Sequence, residues 1–292
     1  MPVVATRLER RMRGGAQAHL LACSDNHHYI TKFVNNPQHR RILVNEWTST
    51  ILLRFLGVLT PEAQVVELTE DFLAREPEVC LQLGSGRIPV PPGWHYGSQY
   101  PGNPLKDAVY DFLPDALLQQ VANLEQFAGA LVFDKWVANS DSRQAIYFRR
   151  RIKAWLPGAE TAPQQKGFLV QMIDHGYAFD GPRWEFLDTP LAGLYFRPIV
   201  YSRLDSPERL EPWLTRASEC PESVFDEILR TTPRCWLDQD ESDFERLVSN
   251  LYGRRRRIAD LIAASARAKP DVFPALSSRR PPPPPGSVRL KR

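Results

Sequence analysis

The chain has no long apolar run. Nothing in it approaches the roughly 18 residues that cross a bilayer, and the opening MPVVATRLERRMRGG has no apolar stretch after its charges. Neither membrane spanning nor export is expected. Cysteine is scarce and scattered: Cys23, Cys80, Cys220 and Cys235 form no C-x-x-C pair, which argues against a zinc ribbon or redox dithiol and for reduced thiols in a cytoplasmic protein. Also missing are G-x-x-x-x-G-K-[ST], G-x-S-x-G, H-E-x-x-H and G-x-G-x-x-G, which sets aside the P-loop, the nucleophile elbow, the zincin helix and the dinucleotide fingerprint. No internal repeat points to a solenoid.

The composition that remains is that of a globular protein. Hydrophobic residues are 43% and charged residues 24% of 292, enough for a real core and too balanced for wholesale disorder. The net charge is +3, yet residues 279–292 alone hold four Arg and one Lys without an acid, so the rest of the chain is slightly acidic. A nucleic-acid binder carries its positive field on the folded surface. The other basic run, Arg254 to Arg257, has no interleaved aromatics and reads as a solvated helix face. In the ending SSRRPPPPPGSVRLKR, five consecutive prolines favour an extended rod, so 277–292 is expected to be a disordered Pro/Arg-rich tail, either a plain solvated end or a ligand for an aromatic groove.

Patterning gives the order of elements. AHLLACSD and HHYITKFV read as two strands joined at Asp25-Asn26, then HRRILVNEWTSTILLRFLG repeats apolar residues at helical spacing and stops at Gly57. AQVVEL is a third β-prone run, and the Gly- and Pro-rich residues 70–108 read as mostly irregular. After VYDFLPD, Asn123 is positioned to cap a helix over LEQFAGALVFDKWVAN that ends at Asn139. AIYF and FLVQMID are strand-like, and 207–266 reads as several helices.

Four charged residues sit where apolar elements begin or end. Lys32 shares a strand face with Ile30 and Val34, and a buried lysine needs an anion; an exposed edge-strand lysine is the plain alternative. Glu46 lies near the apolar margin of the following helix, where it is either a solvated carboxylate or a partner that orients the ammonium. Gly14 and Gly15 precede the first strand, where backbone N–H groups could approach phosphates or simply make a turn. Asp141, in the turn NSDSRQ, is held between a helix and a strand, as a base should be, though loop aspartates more often cap turns. Asp174 ends a strand ahead of His175-Gly176 and could bind Mg²⁺ or cap the turn. Each signal is modest alone; in this order they are the parts of protein-kinase-like phosphoryl transfer.

On MRGGAQAHLL, YITKFVNNPQHRRILVNE, HYGSQYP, VYDFLPD and FDKWVANSDSRQAIYF the sequence resembles the HipA-like kinase family, over roughly residues 8–250. The resemblance implies an α+β, two-lobed protein kinase-like fold. Its small β-rich lobe would span about 1–112, its larger, mostly helical lobe about 113–276. The implied activity is ATP- and Mg²⁺-dependent transfer of the γ-phosphoryl group to a hydroxyl, first a protein serine or threonine. By the same resemblance Gly14, Gly15, Ala16 and Gln17 would cover the phosphates, Lys32 would hold the α- and β-phosphates, and Glu46 would orient it. Phe112 and Leu113 would lie beside adenine, Asp141 would be the catalytic base and Asp174 a metal ligand. The chain departs from the pattern where Ile146 stands five residues after Asp141 in place of a metal-binding Asn. Gln144 is the expected substitute, and Arg143 is expected to meet the transferred phosphate. The departure keeps open a pseudokinase, a nucleotide-binding module without transfer. A nucleic-acid or toxin–antitoxin regulatory role would rest only on the basic runs.

Overall fold

The structure is a computed structural model and describes residues 1–274. The tail expected at 277–292 lies outside the described residues.

The chain is α+β. It opens with β1 (Val3–Arg11), β2 (His19–Cys23), β3 (His28–Lys32), α1 (Arg41–Leu56) and β4 (Ala63–Leu68). Next come α2 (Glu70–Arg75), β5 (Cys80–Leu83), β6 (Gly86–Pro89), β7 (Gly93–Gln99) and β8 (Val109–Tyr110). The remainder is α3 (Asp115–Leu118), α4 (Gln126–Trp136), β9 (Gln144–Arg151), α5 (Ile152–Trp155) and β10 (Lys166–Ile173), then α6 (Trp213–Ser218), α7 (Glu222–Thr231), α8 (Glu241–Arg254) and α9 (Ile258–Ala268).

Five strands close a barrel in the order β1-β2-β3-β7-β4, with β1 meeting β4 in parallel at Val3–Val66 and Val4–Glu67. Two register shifts in β1, between Ala5 and Arg7 and between Leu8 and Arg10, add the twist that closure needs. Leu21, Tyr29, Phe33, Val66 and Phe72 fill a core of their own in this region. A three-stranded sheet, β10-β9-β8, stands apart from the barrel, and β5 and β6 form a separate hairpin.

Helix α1 joins the two regions. It packs on α4, α6 and α7 and also on β4 and β7, so it is buried on most of its circumference rather than along one stripe. Gly57, at φ 76°, ends it, and the Gly57 and Val58 N–H groups return to the Arg54 and Leu53 carbonyls. The larger core gathers Leu43 and Leu53 of α1 with Phe127, Leu131 and Trp136 of α4 and the later helices.

Three expectations are corrected. Residues 70–108 are not mostly irregular: β7 is a barrel strand paired with both β3 and β4, and Gly97 is needed there because a Cβ would stand 2.5 Å from the Val66 side chain. AHLLACSD is not the first strand: Val3–Arg11 form β1 ahead of it, with an alternation that the two bulges interrupt, so Gly14 and Gly15 lie between two strands. Asn123 caps no helix; it is buried, donating to Gln126 Oε1 and the Val170 carbonyl and accepting from the Val170 N–H, and α4 ends at Trp136.

Candidate active site

Strand β3 delivers Lys32 and helix α1 delivers Glu46, both buried. The Lys32 Nζ donates to Glu46 Oε1 and to Asp174 Oδ1, the latter at 2.8 Å, joining residues 14 and 142 positions away. Glu46 Oε1 also accepts the His175 N–H at 3.0 Å, so the α1 carboxylate holds both the ammonium and the turn after β10. Burial alone would lower the Lys32 pKa; the Glu46 and Asp174 carboxylates outweigh it, and the ammonium stays charged. Lys32 in turn holds the Asp174 carboxyl down to about 2, against the effect of burial. Asp174 has φ 56°, a left-handed conformation costly for a side chain other than glycine.

These groups line a cavity of about 620 Å³, within the range of small-molecule sites. The β1–β2 turn contributes Gly14, Gly15 and Ala16. Gly14 has φ 111°, a conformation that favours glycine, while at Gly15 a Cβ would meet only the movable end of the Gln38 side chain. Gln17 does not line the cavity; its amide pairs with the Gln82 backbone and pins the turn to β5. The barrel supplies apolar surface through Ile30, the three-stranded sheet through Ile146. Arg10, Arg11 and Arg13 add positive charge.

Gln144 also lines the cavity. It begins β9 opposite Ile173, so its side chain starts one residue pair from Asp174, and its amide nitrogen lies 3.5 Å from Asp141 Oδ2. Asp141 itself is exposed and is not among the cavity's lining residues. Its backbone is fixed: the N–H donates to Asn139 Oδ1 at 3.1 Å and the carbonyl accepts from Gly193 at 3.0 Å.

Besides Gln17, two further expectations fail here. Arg143 does not face the cavity. It is 3% exposed, and its Nε and Nη2 grip both oxygens of Asp134, itself 1% exposed, at 2.9 and 2.6 Å. Nη1 is used up on the Ile173 carbonyl at 2.8 Å and His175 Nδ1 at 3.0 Å, so the guanidinium is a buried brace and not a phosphate contact. Phe112 and Leu113 do not line the cavity either. Phe112 lies 61% exposed under the Arg197 guanidinium and Leu113 enters the core, while Val109 and Asp111 take the lining positions.

The sequence reading missed Asp134, His175 and Thr60. Arg143 can only donate, so His175 Nδ1 accepts and its Nε2–H reaches Thr60 Oγ1 at 3.1 Å, which in turn donates to the Met172 carbonyl. Burial, then the neighbouring Arg143, keeps this imidazole neutral, well below its ordinary pKa. The one available signal was Asp134 itself, a charge inside the apolar run LVFDKW.

The donor set bears on which groups the cavity could hold. Asp174 and Gln144 offer hard oxygens, and among the described residues no three His, Cys, Asp or Glu side chains are grouped so that they alone could hold a metal ion. A divalent ion here would need phosphate and water oxygens to complete its shell, as Mg²⁺ in nucleotide sites does. No described helix is long and apolar enough to cross a membrane.

Residues 4–254 match the family described as HipA-like kinase. Among solved structures, one titled as a Golgi casein kinase is 10% identical over 93% of this chain and 74% of its own, with a TM-score of 0.48. Another, the Golgi casein kinase with Mn/ADP bound, is 10% identical over 92% and 73%, with a TM-score of 0.46. No curated protein matches.

Proposed function

The chain belongs to the HipA-like kinase family, and from that premise we propose that it is an ATP- and Mg²⁺-dependent kinase that phosphorylates a hydroxyl, first a protein serine or threonine. The barrel region, about 1–112, and the mostly helical region that begins at about 113 act as the two lobes, with the cavity as the nucleotide cleft. The observation that carries this reading is the convergence of Lys32, Glu46 and Asp174 beside a glycine turn in one cavity.

Bound nucleotide and Mg²⁺ would supply the phosphoryl group and disperse its charge. Lys32, oriented by Glu46, holds the α- and β-phosphate oxygens, and the Gly14, Gly15 and Ala16 backbone closes over them. Asp174, ionised at neutral pH, and the Gln144 carbonyl hold the metal. Ile30 and Ile146 sandwich the base. Asp141 accepts the acceptor's hydroxyl proton as its oxygen bonds to the γ-phosphorus and ADP leaves.

Incubating the purified chain with γ-labelled ATP, Mg²⁺ and a cell extract tests this. Wild type should label a product that Asp141→Ala and Asp174→Ala do not, and wild-type turnover by Asp174→Ala would refute the metal role. A second reading, a nucleotide-binding regulatory module without transfer, is favoured by the exposure of Asp141 outside the cavity lining and by the apolar Ile146. Nucleotide binding with no labelled product in any fraction would select it.

A further inference from the structure

Building on that kinase reading, we propose that Asp134 and Arg143 are positioning residues that set the separation of Asp141 from Asp174. The buried pair reaches each aspartate by a short route. Arg143 Nη1 donates to the carbonyl of Ile173 at 2.8 Å and to Nδ1 of His175 at 3.0 Å, the residues immediately before and after Asp174. It thereby clamps both flanks of a residue whose left-handed backbone would otherwise relax.

Asp134 Oδ1, besides meeting Arg143, accepts the Asn139 amide at 2.9 Å, and Asn139 Oδ1 accepts the Asp141 N–H at 3.1 Å. A second connection runs through Gly193. A Cβ there would stand 2.4 Å from Asp134 Cβ, and its N–H donates to the Asp141 carbonyl at 3.0 Å. Neither Asp134 nor Arg143 touches the cavity, so whatever they do for the chemistry they do through these neighbours. The pair is fixed to α4 of the larger core, which makes one rigid helix the common reference for the base and the metal ligand.

The test uses the full chain carrying Asp134→Asn or Arg143→Lys, with folding followed by thermal melting. Two readouts separate positioning from bulk stability: Mn²⁺ binding in the presence of ADP, titrated by electron paramagnetic resonance, and the split between kcat and the KM for ATP. Either folded variant should bind Mn²⁺ about tenfold or more weakly, with kcat falling while KM moves by less than about threefold. Asn139→Ala, which cuts only the arm to Asp141, should lower kcat and leave Mn²⁺ binding at the wild-type level. A folded Asp134→Asn or Arg143→Lys with wild-type values in both readouts overturns the proposal, as does unfolding of both variants, which would make the pair simple scaffold. A wild-type chain that transfers no phosphate defeats the kinase reading instead, and the Mn²⁺ titration then decides this inference alone.

Discussion

Two charged clusters share the turn after β10, and they are built to opposite ends. Lys32, Glu46 and Asp174 open onto the cavity, and the Asp174 side chain keeps 39% of its exposure. Asp134 and Arg143 are sealed, at 0% and 1% side-chain exposure. The open cluster has one cation for two carboxylates and so, within the cluster, one uncompensated negative charge. In the sealed cluster, one cation meets one anion and the spare donors go to a carbonyl and an imidazole. Charge in a site therefore divides into groups kept available and groups kept satisfied, and burial with a complete set of partners is what tells them apart.

Breaking the open cluster should show first in activity. Asp174→Ala is expected to cost transfer on the order of a thousandfold while lowering the melting temperature less than a break in the sealed cluster does, measured by initial rates and calorimetry. Breaking the sealed cluster should show first in stability. Arg143→Met strands a buried carboxylate and should lower the unfolding free energy by about 3–5 kcal/mol, read from urea melts. Lys32→Met should lose less, because Asp174 can take up water and Glu46 can take up a proton. Equal losses from the two would erase the distinction.

Acid sharpens the contrast. His175 in the sealed network and His95 in β7 are both buried and neutral, and burial pulls the His95 pKa from 6.5 to about 4. As pH falls through 6.5, the unfolded chain binds protons that the folded chain refuses, so stability is whole above that pH and declines below it. His95 alone accounts for about 3 kcal/mol by pH 4. Denaturant midpoints from pH 7 to 4.5 should fall, and His95→Gln should flatten part of the slope. The smallest effect is expected from Thr60→Val, which strips the His175 Nε2–H of its acceptor and should cost about 1–3 kcal/mol.

The sequence made the open cluster legible and hid the sealed one, for physical reasons. Lys32 and Asp174 are charges placed inside or at the end of apolar strands, an anomaly visible at strand periodicity, and the structure brings them to one another. Arg143 carried no comparable mark. A loop arginine two residues from an expected base reads as a phosphate contact, and only the position of Asp134 on α4 shows that its guanidinium turns inward. Phe112 misled in the same way, since chain position gives no rotamer and Arg197 draws the ring outward. Among the elements, α1 and the β2–β3 hairpin were legible from their apolar content and their stops at Gly57 and at Asp25-Asn26. β7, with glycine at 93 and 97, looked like loop because its partners β3 and β4 supply the pairing that its own residues do not advertise.

The parallel seam between β1 and β4 leaves every strand of the barrel hydrogen-bonded on both sides. Within that ring β3, which carries Lys32, is bonded to β2 on one side and β7 on the other, so the place of the ammonium is set by strands from distant parts of the chain.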